Sequence, residues 1–241
     1  VHVHDFEAQV LPLKVIAHHR DAPEERHEQP ADGIVVGILL RQIVELEDHL
    51  QVVHRHLAIE QPGTIFTAGG FRLVTHLVDD PEGTVRDPVV HYDGRTILFS
   101  YRPGAEETFH LYRIGADGRG LRRLTDGPYD DIEPACLPDG GIVFVSGRAR
   151  RWVNCWLTQV AILHRCDADG RNIRPLSANI EQDNTPWVLP DGRILYTRWE
   201  YVDRSQVDYH HLWTANPDGT GHQIYYGNYH PGGVFIDAKP I

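Results

Sequence analysis

The sequence predicts an all-β fold, namely a partial β-propeller of about three four-stranded blades with the start of a fourth, and a short helical N-terminal segment. The main observation is a motif around an Asp-Gly dipeptide that occurs three times, 46 and 52 residues apart, at Asp93, Asp139 and Asp191. A second Asp-Gly motif alternates with the first, at Asp117, Asp169 and Asp218. A repeat of this length, phased in two sets, is typical of propeller blades.

Each repeat contains the elements of four antiparallel strands. A proline six residues before the first Gly marks strand A, at Pro88, Pro134 and Pro186. The first Asp-Gly turn, an apolar and aromatic strand B, a variable connection, strand C, the second Asp-Gly turn and strand D follow. Gly supplies the positive φ of a tight hairpin, and Asp tolerates the neighbouring geometry.

The number of blades leaves the ring open. Propellers typically have about four to eight blades, and three would leave sheet edges unpaired at both ends. The segment from His230 to Asp237 is expected to begin a further blade, and the chain contains no Met. We therefore expect the blades to belong to a longer polypeptide or to be closed by another element.

The N-terminal residues 1–65 differ from the blades, which we assign to residues 66–241. Apolar residues follow a 4-3-4-3-4 spacing from Leu39 to Leu57, and this spacing predicts a helix over about 34–58 with Asp32 as its cap. The helix would pack on another surface, or associate as a short coiled coil. This His-rich segment is an atypical domain in our assignment.

Composition excludes several classes of partner. Of 241 residues 41% are hydrophobic, and 34 acidic against 23 basic residues give a net charge of −11. Because no basic stripe is present to neutralise phosphates, nucleic acid is not expected as a ligand. No apolar run reaches 18 residues, and the N-terminus lacks the pattern of a signal peptide, so no membrane span is expected.

The reactive residues do not form a known catalytic motif. Cys136, Cys155 and Cys166 match no zinc spacing and no C-x-x-C-H haem site, so no cofactor is expected to be held covalently in this chain. Cys155 and Cys166 could pair as a disulfide, and free thiols are the alternative. Neither a G-x-S-x-G nor an H-E-x-x-H motif is present. We therefore do not expect catalysis by this chain alone.

Several stretches between residues 78 and 240 resemble a known family. They are Arg86–Gly94, Asp126–Pro134, Trp152–Val160, Tyr196–Arg204 and Ile236–Pro240. These stretches are similar to the Pro-Asp-Gly repeats of TolB-type propellers, also called PD40 repeats. More closely, they resemble the middle domain of the hydrazine synthase alpha subunit, including its form in large planctomycete-type proteins.

The resemblance implies a propeller in a larger exported protein, in a periplasmic or extracellular setting. Any haem would have to come from other domains of that protein, because this chain has no C-x-x-C-H motif. The repeat itself favours a binding or scaffold function, because a propeller supplies a rigid platform. The alternative, which the resemblance suggests, is the non-haem portion of a redox enzyme subunit in a multihaem complex. Relatives often have Cys where this chain has Ala149, which removes support for a redox or metal role there.

The order of the strands in a blade predicts on which face of the propeller the candidate binding site lies. In a four-stranded antiparallel blade, the B–C and D–A connections share one face, opposite the Asp-Gly turns. Residues just before each proline should reach the channel mouth on that face; they are Arg86, Asp87, Asp131, Glu133, Asp183 and Asn184. Asp131 and Asp183 are candidate ligands for Ca²⁺, or their carboxylates stabilise turns. A small ligand at the mouth is one expected partner.

Two connections carry the remaining candidate residues of this face. Arg151, Trp152 and Trp156 combine cation and aromatic groups, as interaction hot spots do, although the same loop could be packed. The third repeat contributes Arg198, Tyr201, His210 and His211, which either bind a partner or pack across strands. Neighbouring domains or protein subunits are the partners that these residues predict.

Overall fold

The computed structural model describes residues 37–43, 54–60, 74–104, 106, 108–227 and 233–240, with the backbone alone at 37–43, 54–60 and 74–76. In these residues the fold is nearly all β. It contains sixteen strands and, within the same residues, one 3₁₀ turn at Gly147–Ala149. The predicted all-β class is therefore confirmed.

The first sheet has three antiparallel strands, β1 (Gly37–Ile43), β2 (His54–Glu60) and β3 (Val74–Val78), in that order. The helix predicted over 34–58 is wrong where the structure describes it, because both described parts of that range are strands, paired residue by residue. The 4-3-4-3-4 spacing extends from one strand into the next. Its apolar residues therefore do not lie on one helical face, and short apolar runs do not distinguish a helix from a strand. Residues 34–36 and 44–53 lie outside the described residues.

Three four-stranded sheets follow, each with its strands in chain order. The first blade is β4 (Thr84–Val90), β5 (Thr96–Arg102), β6 (His110–Gly115) and β7 (Arg122–Arg123). The second blade is β8 (Asp131–Cys136), β9 (Ile142–Ser146), β10 (Ile162–Cys166) and β11 (Arg174–Pro175). The third blade is β12 (Asp183–Val188), β13 (Ile194–Trp199), β14 (Tyr209–Ala215) and β15 (Gln223–Tyr226), and β16 (Gly233–Val234) pairs in parallel with β14. Each blade therefore runs from A to D as predicted.

The Asp-Gly dipeptides form the A–B turns. Oδ1 of Asp93 accepts hydrogen bonds from the N–H groups of Arg95 and Thr96, at 2.7 and 2.9 Å. Gly94 has a φ of 65°, the left-handed region that Gly adopts without steric cost. The same glycine geometry recurs at Gly140 and Gly192, with φ of 86° and 87°. The turns therefore form for the reason that the dipeptide predicts.

The hydrophobic core lies between neighbouring blades. One cluster joins Leu98 and Leu111 of the first blade to Ile142 and Phe144 of the second. A further cluster joins Val143, Val145 and Leu163 of the second blade to Ile194 and Tyr196 of the third. The strands A are adjacent in turn, with β8 in contact with both β4 and β12. The strands A therefore form a continuous row across the three blades, which we call the strand-A wall.

A backbone feature recurs in every strand A. The pairing with strand B shifts register at each proline, which indicates a β-bulge. The residue before each proline has a positive φ of 50–55°, at Asp87, Glu133 and Thr185. Asp237 has the same conformation, with φ of 57°. The segment 233–240 thus has the bulge residue of a further strand A.

The connection that leads into each strand A is anchored in a repeated way. The N–H of Asp131 donates to the Phe109 carbonyl, and the N–H of Asp183 donates to the Ala161 carbonyl, both at 2.9 Å. The N–H of Phe235 donates to the His210 carbonyl, also at 2.9 Å. These three bonds join each incoming segment to the start of strand C of the preceding blade, or to the residue just before it.

Candidate functional site

The B–C and D–A connections of the blades lie at one end of the strands, which we call the loop face. The B–C connections span residues 103–109, 147–161 and 200–208, and the D–A connections span 124–130 and 176–182. The Asp-Gly turns lie at the opposite end, because all strands within a blade are antiparallel. Most of the predicted site residues lie on or next to the loop face.

The bulge residues of the strands A form a chain of hydrogen bonds from blade to blade. Oδ2 of Asp87 accepts from the N–H of Glu133 at 3.2 Å, and Oε2 of Glu133 accepts from the N–H of Thr185 at 2.5 Å. Oγ1 of Thr185 accepts from the N–H of Asp237 at 3.2 Å. We call this chain the bulge relay. It connects the strands A of the three blades with one another and with the segment 233–240.

The first part of the bulge relay includes an arginine. Nε of Arg86 donates to Asp87 at 2.6 Å, and Nη2 of Arg86 lies 3.4 Å from Glu133 Oε1. Burial raises the pKa of Glu133, and the neighbouring carboxylates of Asp87 and Asp237 raise it further. The Thr185 N–H and the Arg86 guanidinium oppose this increase. The structure therefore brings three predicted residues, Arg86, Asp87 and Glu133, into one charged cluster.

Asp131 is fully buried and has partners within the second blade. Its carboxylate accepts hydrogen bonds from Ser146 Oγ at 2.6 Å and from Arg148 Nη2 at 2.6 Å. Nδ1 of His110, in the first blade, lies 3.8 Å away. Burial raises the pKa of Asp131, yet contacts with His110, Arg148 and Ser146 hold it below the usual value. Through Ser146 and Arg148, Asp131 thus holds the 3₁₀ turn at the start of the second B–C connection.

Asp183 has the equivalent position in the third blade but lacks a contacting arginine at hydrogen-bond distance. Its carboxylate accepts from Ser177 Oγ at 2.5 Å and from Asn179 Nδ2 at 3.1 Å. Burial raises its pKa to about 6, and Ser177 and Arg198 only partly oppose this effect. Asn184 follows in the same strand, opposite Thr197. In the part of the chain that is described, no group of three or more His, Cys, Asp or Glu residues could hold a metal ion.

The second B–C connection forms a small hairpin from Arg151 to Val160, which we call the aromatic hairpin. The N–H of Val160 donates to the Arg151 carbonyl at 2.7 Å, and the N–H of Val153 donates to the Thr158 carbonyl at 2.9 Å. Val153 and Val160 are buried against Ile162. The base of the hairpin is therefore part of a core cluster.

The tip of the aromatic hairpin exposes large apolar side chains. Trp152 is 57% exposed, Trp156 is 74% exposed and Leu157 is 86% exposed. The three cysteines are free thiols, and of these Cys155 at the tip is exposed while Cys136 and Cys166 are buried. The alternative of a packed loop with two buried Trp residues therefore does not describe this connection.

Hydrogen bonds hold the aromatic hairpin on the next D–A connection. Nη2 of Arg151 donates to the Asn179 carbonyl at 2.6 Å. Nε2 of Gln182 donates to the Gln159 carbonyl at 3.0 Å, and Gln182 Oε1 accepts from the N–H of Ala161 at 2.7 Å. These contacts fix the position of a strongly apolar tip.

The third blade arranges its candidate residues around Trp199. The Trp199 ring stacks between Tyr201 and His210, with centroid distances of 5.4 and 5.3 Å and interplanar angles of 11° and 10°. His211 is fully buried, and burial lowers its pKa. The Arg198 guanidinium lies 4.8 Å from the centre of the Trp213 ring. These four predicted residues thus mainly pack against aromatic rings.

One feature was missed by the sequence analysis, namely a cavity of about 90 Å³ between the strands A. It is lined by Val89, Val90, Tyr92, Ala135, Cys136, Trp187 and Val188. These residues follow the prolines, on the side of the Asp-Gly turns. The sequence signal for this cavity is the residue that follows each proline. These residues are Val89, Ala135 and Trp187, and they differ widely in size. We call this feature the strand-A cavity.

The repeated four-stranded sheets, the shared strand-A wall and the two sets of turns define a β-propeller. Comparison with solved structures agrees. The chain is similar to hydrazine synthase of Kuenenia stuttgartiensis, with 18% identity and a TM-score of 0.60 over 72% of this chain and 28% of that chain. It is also similar to a putative TolB from Agrobacterium tumefaciens, with 18% identity and a TM-score of 0.52 over 70% of this chain and 56% of the other.

At these identities the likeness shows the fold alone. TolB from Acinetobacter baumannii matches at 13% identity and a TM-score of 0.50, over 70% of this chain and 37% of that chain. This chain therefore spans between 28% and 56% of these three solved chains, which is less than two thirds in each case. No protein-family model and no curated protein matched the sequence. Within the described residues, no helix is long and apolar enough to cross a membrane.

Proposed function

We propose that this chain is a binding or scaffold propeller whose loop face docks a neighbouring domain or protein subunit. The observation that carries the proposal is the aromatic hairpin, which exposes Trp152, Trp156 and Leu157 while its base is fixed by buried valines and hydrogen bonds. Exposed large apolar side chains on a fixed support are typical of interaction sites, because little entropy is lost when they are buried.

The surroundings of the aromatic hairpin extend this surface. Ile180, Val202 and Val207, on the adjacent connections of the loop face, are 44%, 56% and 60% exposed. Burying a large apolar side chain contributes about 1.5–3 kcal/mol, so Trp156 and Leu157 alone could supply several kcal/mol of binding free energy. Trp is also among the residues most often found at hot spots.

The charge of the segment that contains the aromatic hairpin indicates a second property of the partner. Residues 147–160 contain three Arg and no Asp or Glu, in a chain whose net charge is −11. A partner with an apolar centre and acidic residues at its rim would complement this segment. We therefore propose a protein surface of that kind.

Photo-crosslinking followed by affinity measurement tests this function. A photoreactive residue at position 156 in the full-length protein should capture one partner in its native host, and the same residue at exposed Tyr225 should not. The captured protein is then produced, and its affinity for the chain is measured. Trp156→Ser with Leu157→Ser should weaken binding at least tenfold, while Tyr225→Ser should not. Equal affinity for both variants would contradict the proposal.

The proposal also includes a cellular location and one alternative function. We propose a periplasmic or extracellular location, to be tested by fractionating cells that express the full-length protein. The rival, a non-haem part of a redox subunit, would gain support from C-x-x-C-H motifs elsewhere in the full reading frame. The likeness to hydrazine synthase, at 18% identity, supports the fold and not that activity.

A further inference from the structure

We propose that the strand-A cavity binds a small methylated ammonium group. The cavity has a volume of about 90 Å³. A compact cationic head group fits this volume, whereas drug-sized ligands need about 300 Å³ or more. The cavity is separate from the aromatic hairpin, so the proposal does not depend on the function of the loop face.

The lining suits a cation that is covered by methyl groups. Two aromatic residues, Trp187 and Tyr92, contribute to the wall, and valines and Ala135 make most of the remainder apolar. The Tyr92 hydroxyl donates a hydrogen bond to the Cys136 carbonyl at 2.8 Å, which links this ring to the second blade. A quaternary ammonium has no N–H to satisfy, and it is bound through aromatic faces and apolar contacts.

The chain itself shows that the Trp187 ring accepts a cation. Nζ of Lys239 lies 5.0 Å from the centre of this ring, within the distance of a cation–π interaction. Asp237 holds the ammonium group, with Oδ1 at 3.1 Å from Nζ. Lys239 is partly exposed and does not line the cavity, so its contact with the ring leaves the lining itself unoccupied by a side-chain cation.

Nearby carboxylates favour positive charge over a neutral ligand. Asp87 and Glu133 precede the lining residues Val89 and Ala135 by two positions on the same strands. The three carboxyl groups of Asp87, Glu133 and Asp237 outnumber the cations that pair with them, Arg86 and Lys239, so the repulsion among the carboxylates is only partly offset. A cation in the cavity would reduce that repulsion without a direct hydrogen bond.

The test uses the full chain and tetramethylammonium chloride as the probe, at constant ionic strength adjusted with KCl. Binding is measured by ligand-observed NMR and by the shift of the unfolding midpoint. tert-Butanol is the neutral probe of similar size. We expect tetramethylammonium to bind and tert-butanol to bind at least about tenfold more weakly.

Two variants should move the affinity in opposite directions. Trp187→Leu should weaken tetramethylammonium binding about tenfold, because the aromatic face is lost. Lys239→Gln should strengthen it about threefold, because a positive charge beside the Trp187 ring is removed. Trp156→Leu on the aromatic hairpin is the matched control and should not change it. If Trp187→Leu fails to fold, Ala135→Leu, which fills the cavity, replaces it.

Three outcomes overturn the proposal. Absence of binding to both the natural chain and the Lys239→Gln variant would exclude the site. Equal affinity for tert-butanol would reduce it to an apolar cavity without charge selection. Binding that Trp187→Leu and Ala135→Leu both leave unchanged would place the probe elsewhere. None of these results would bear on docking through the loop face.

Discussion

Asp131 and Asp183 occupy equivalent positions in two blades, yet they should respond to pH in opposite directions. Asp131 contacts Arg148 and has a lowered pKa, whereas Asp183 has a pKa raised to about 6 by burial. A carboxyl whose pKa is raised on folding contributes stability that is fully present below its unfolded pKa and is lost as pH rises through the folded value. For a lowered pKa the contribution is present above the unfolded value and is lost on acidification.

The magnitude for Asp183 follows from its pKa. Between the ordinary value of 3.8 and about 6, each pH unit costs about 1.4 kcal/mol of the free energy of unfolding, or about 3 kcal/mol in total. Asp183→Asn removes this titration while Asn179 can still donate to the new amide oxygen. The variant should therefore gain about 2–2.5 kcal/mol relative to the natural chain between pH 4 and pH 7, because part of the total is already lost at pH 4.

Asp131→Asn gives the opposite expectation. At pH 7 it should lose about 2–3 kcal/mol, because hydrogen bonds between Arg148 and a charged acceptor are removed. This difference should shrink as pH falls below 3.8. Urea unfolding measures these changes, at pH 4 and pH 7 for Asp183→Asn and at pH 3 and pH 7 for Asp131→Asn. Asp203→Asn, on an exposed part of the loop face, is the control and should match the natural chain at each of these pH values.

A difference between Asp183→Asn and the natural chain that stays constant from pH 4 to pH 7 would refute the reasoning for Asp183. It would mean that the carboxyl titrates alike in the folded and unfolded states. A loss below about 0.5 kcal/mol for Asp131→Asn at pH 7 would likewise refute the role of the Arg148 contact.

Further expectations concern the cysteines and a metal. In the native chain a thiol reagent should label Cys155 alone, because it is exposed, whereas burial raises the pKa of Cys136 to about 11 and that of Cys166 to about 12; labelling of three thiols without denaturant would contradict this. Ca²⁺ or a chelator should not shift the unfolding midpoint, because Asp131 and Asp183 already accept hydrogen bonds. A midpoint that falls with chelator and recovers with Ca²⁺ would restore both as metal ligands.

The blades could be predicted because their signals are local. Gly94 and Asp93 set the first A–B turn by their own backbone and side-chain chemistry, and the same dipeptide acts in each repeat. The predicted helix failed because apolar spacing alone does not distinguish a helix from short strands whose pairing is non-local. Partner strands 37–43 and 54–60 determine each other's conformation through their pairing.

The site could be predicted only in part, because its contacts cross blade boundaries. Asp87 and Glu133, directly before their prolines, are predicted site residues, whereas Thr185, before the third proline, is not. A residue before proline normally prefers an extended backbone, so the sequence does not predict the left-handed conformation that all three adopt. The partner of Asp131 depends on the 3₁₀ turn that places Arg148. The strand-A cavity depends on three separate strands, and a linear pattern does not show how closely they approach.

The bulge relay makes the alignment of the strands A independent of the charge that their side chains carry. In each link the donor is a backbone N–H, which every residue except proline provides, and the acceptor is any side-chain oxygen that reaches it. Asp, Glu and Thr all meet this requirement at successive links. The bulge relay therefore tolerates replacement of a charged acceptor by a neutral one. The charge presented to a ligand could therefore change during evolution, one blade at a time, while the blades keep their mutual alignment.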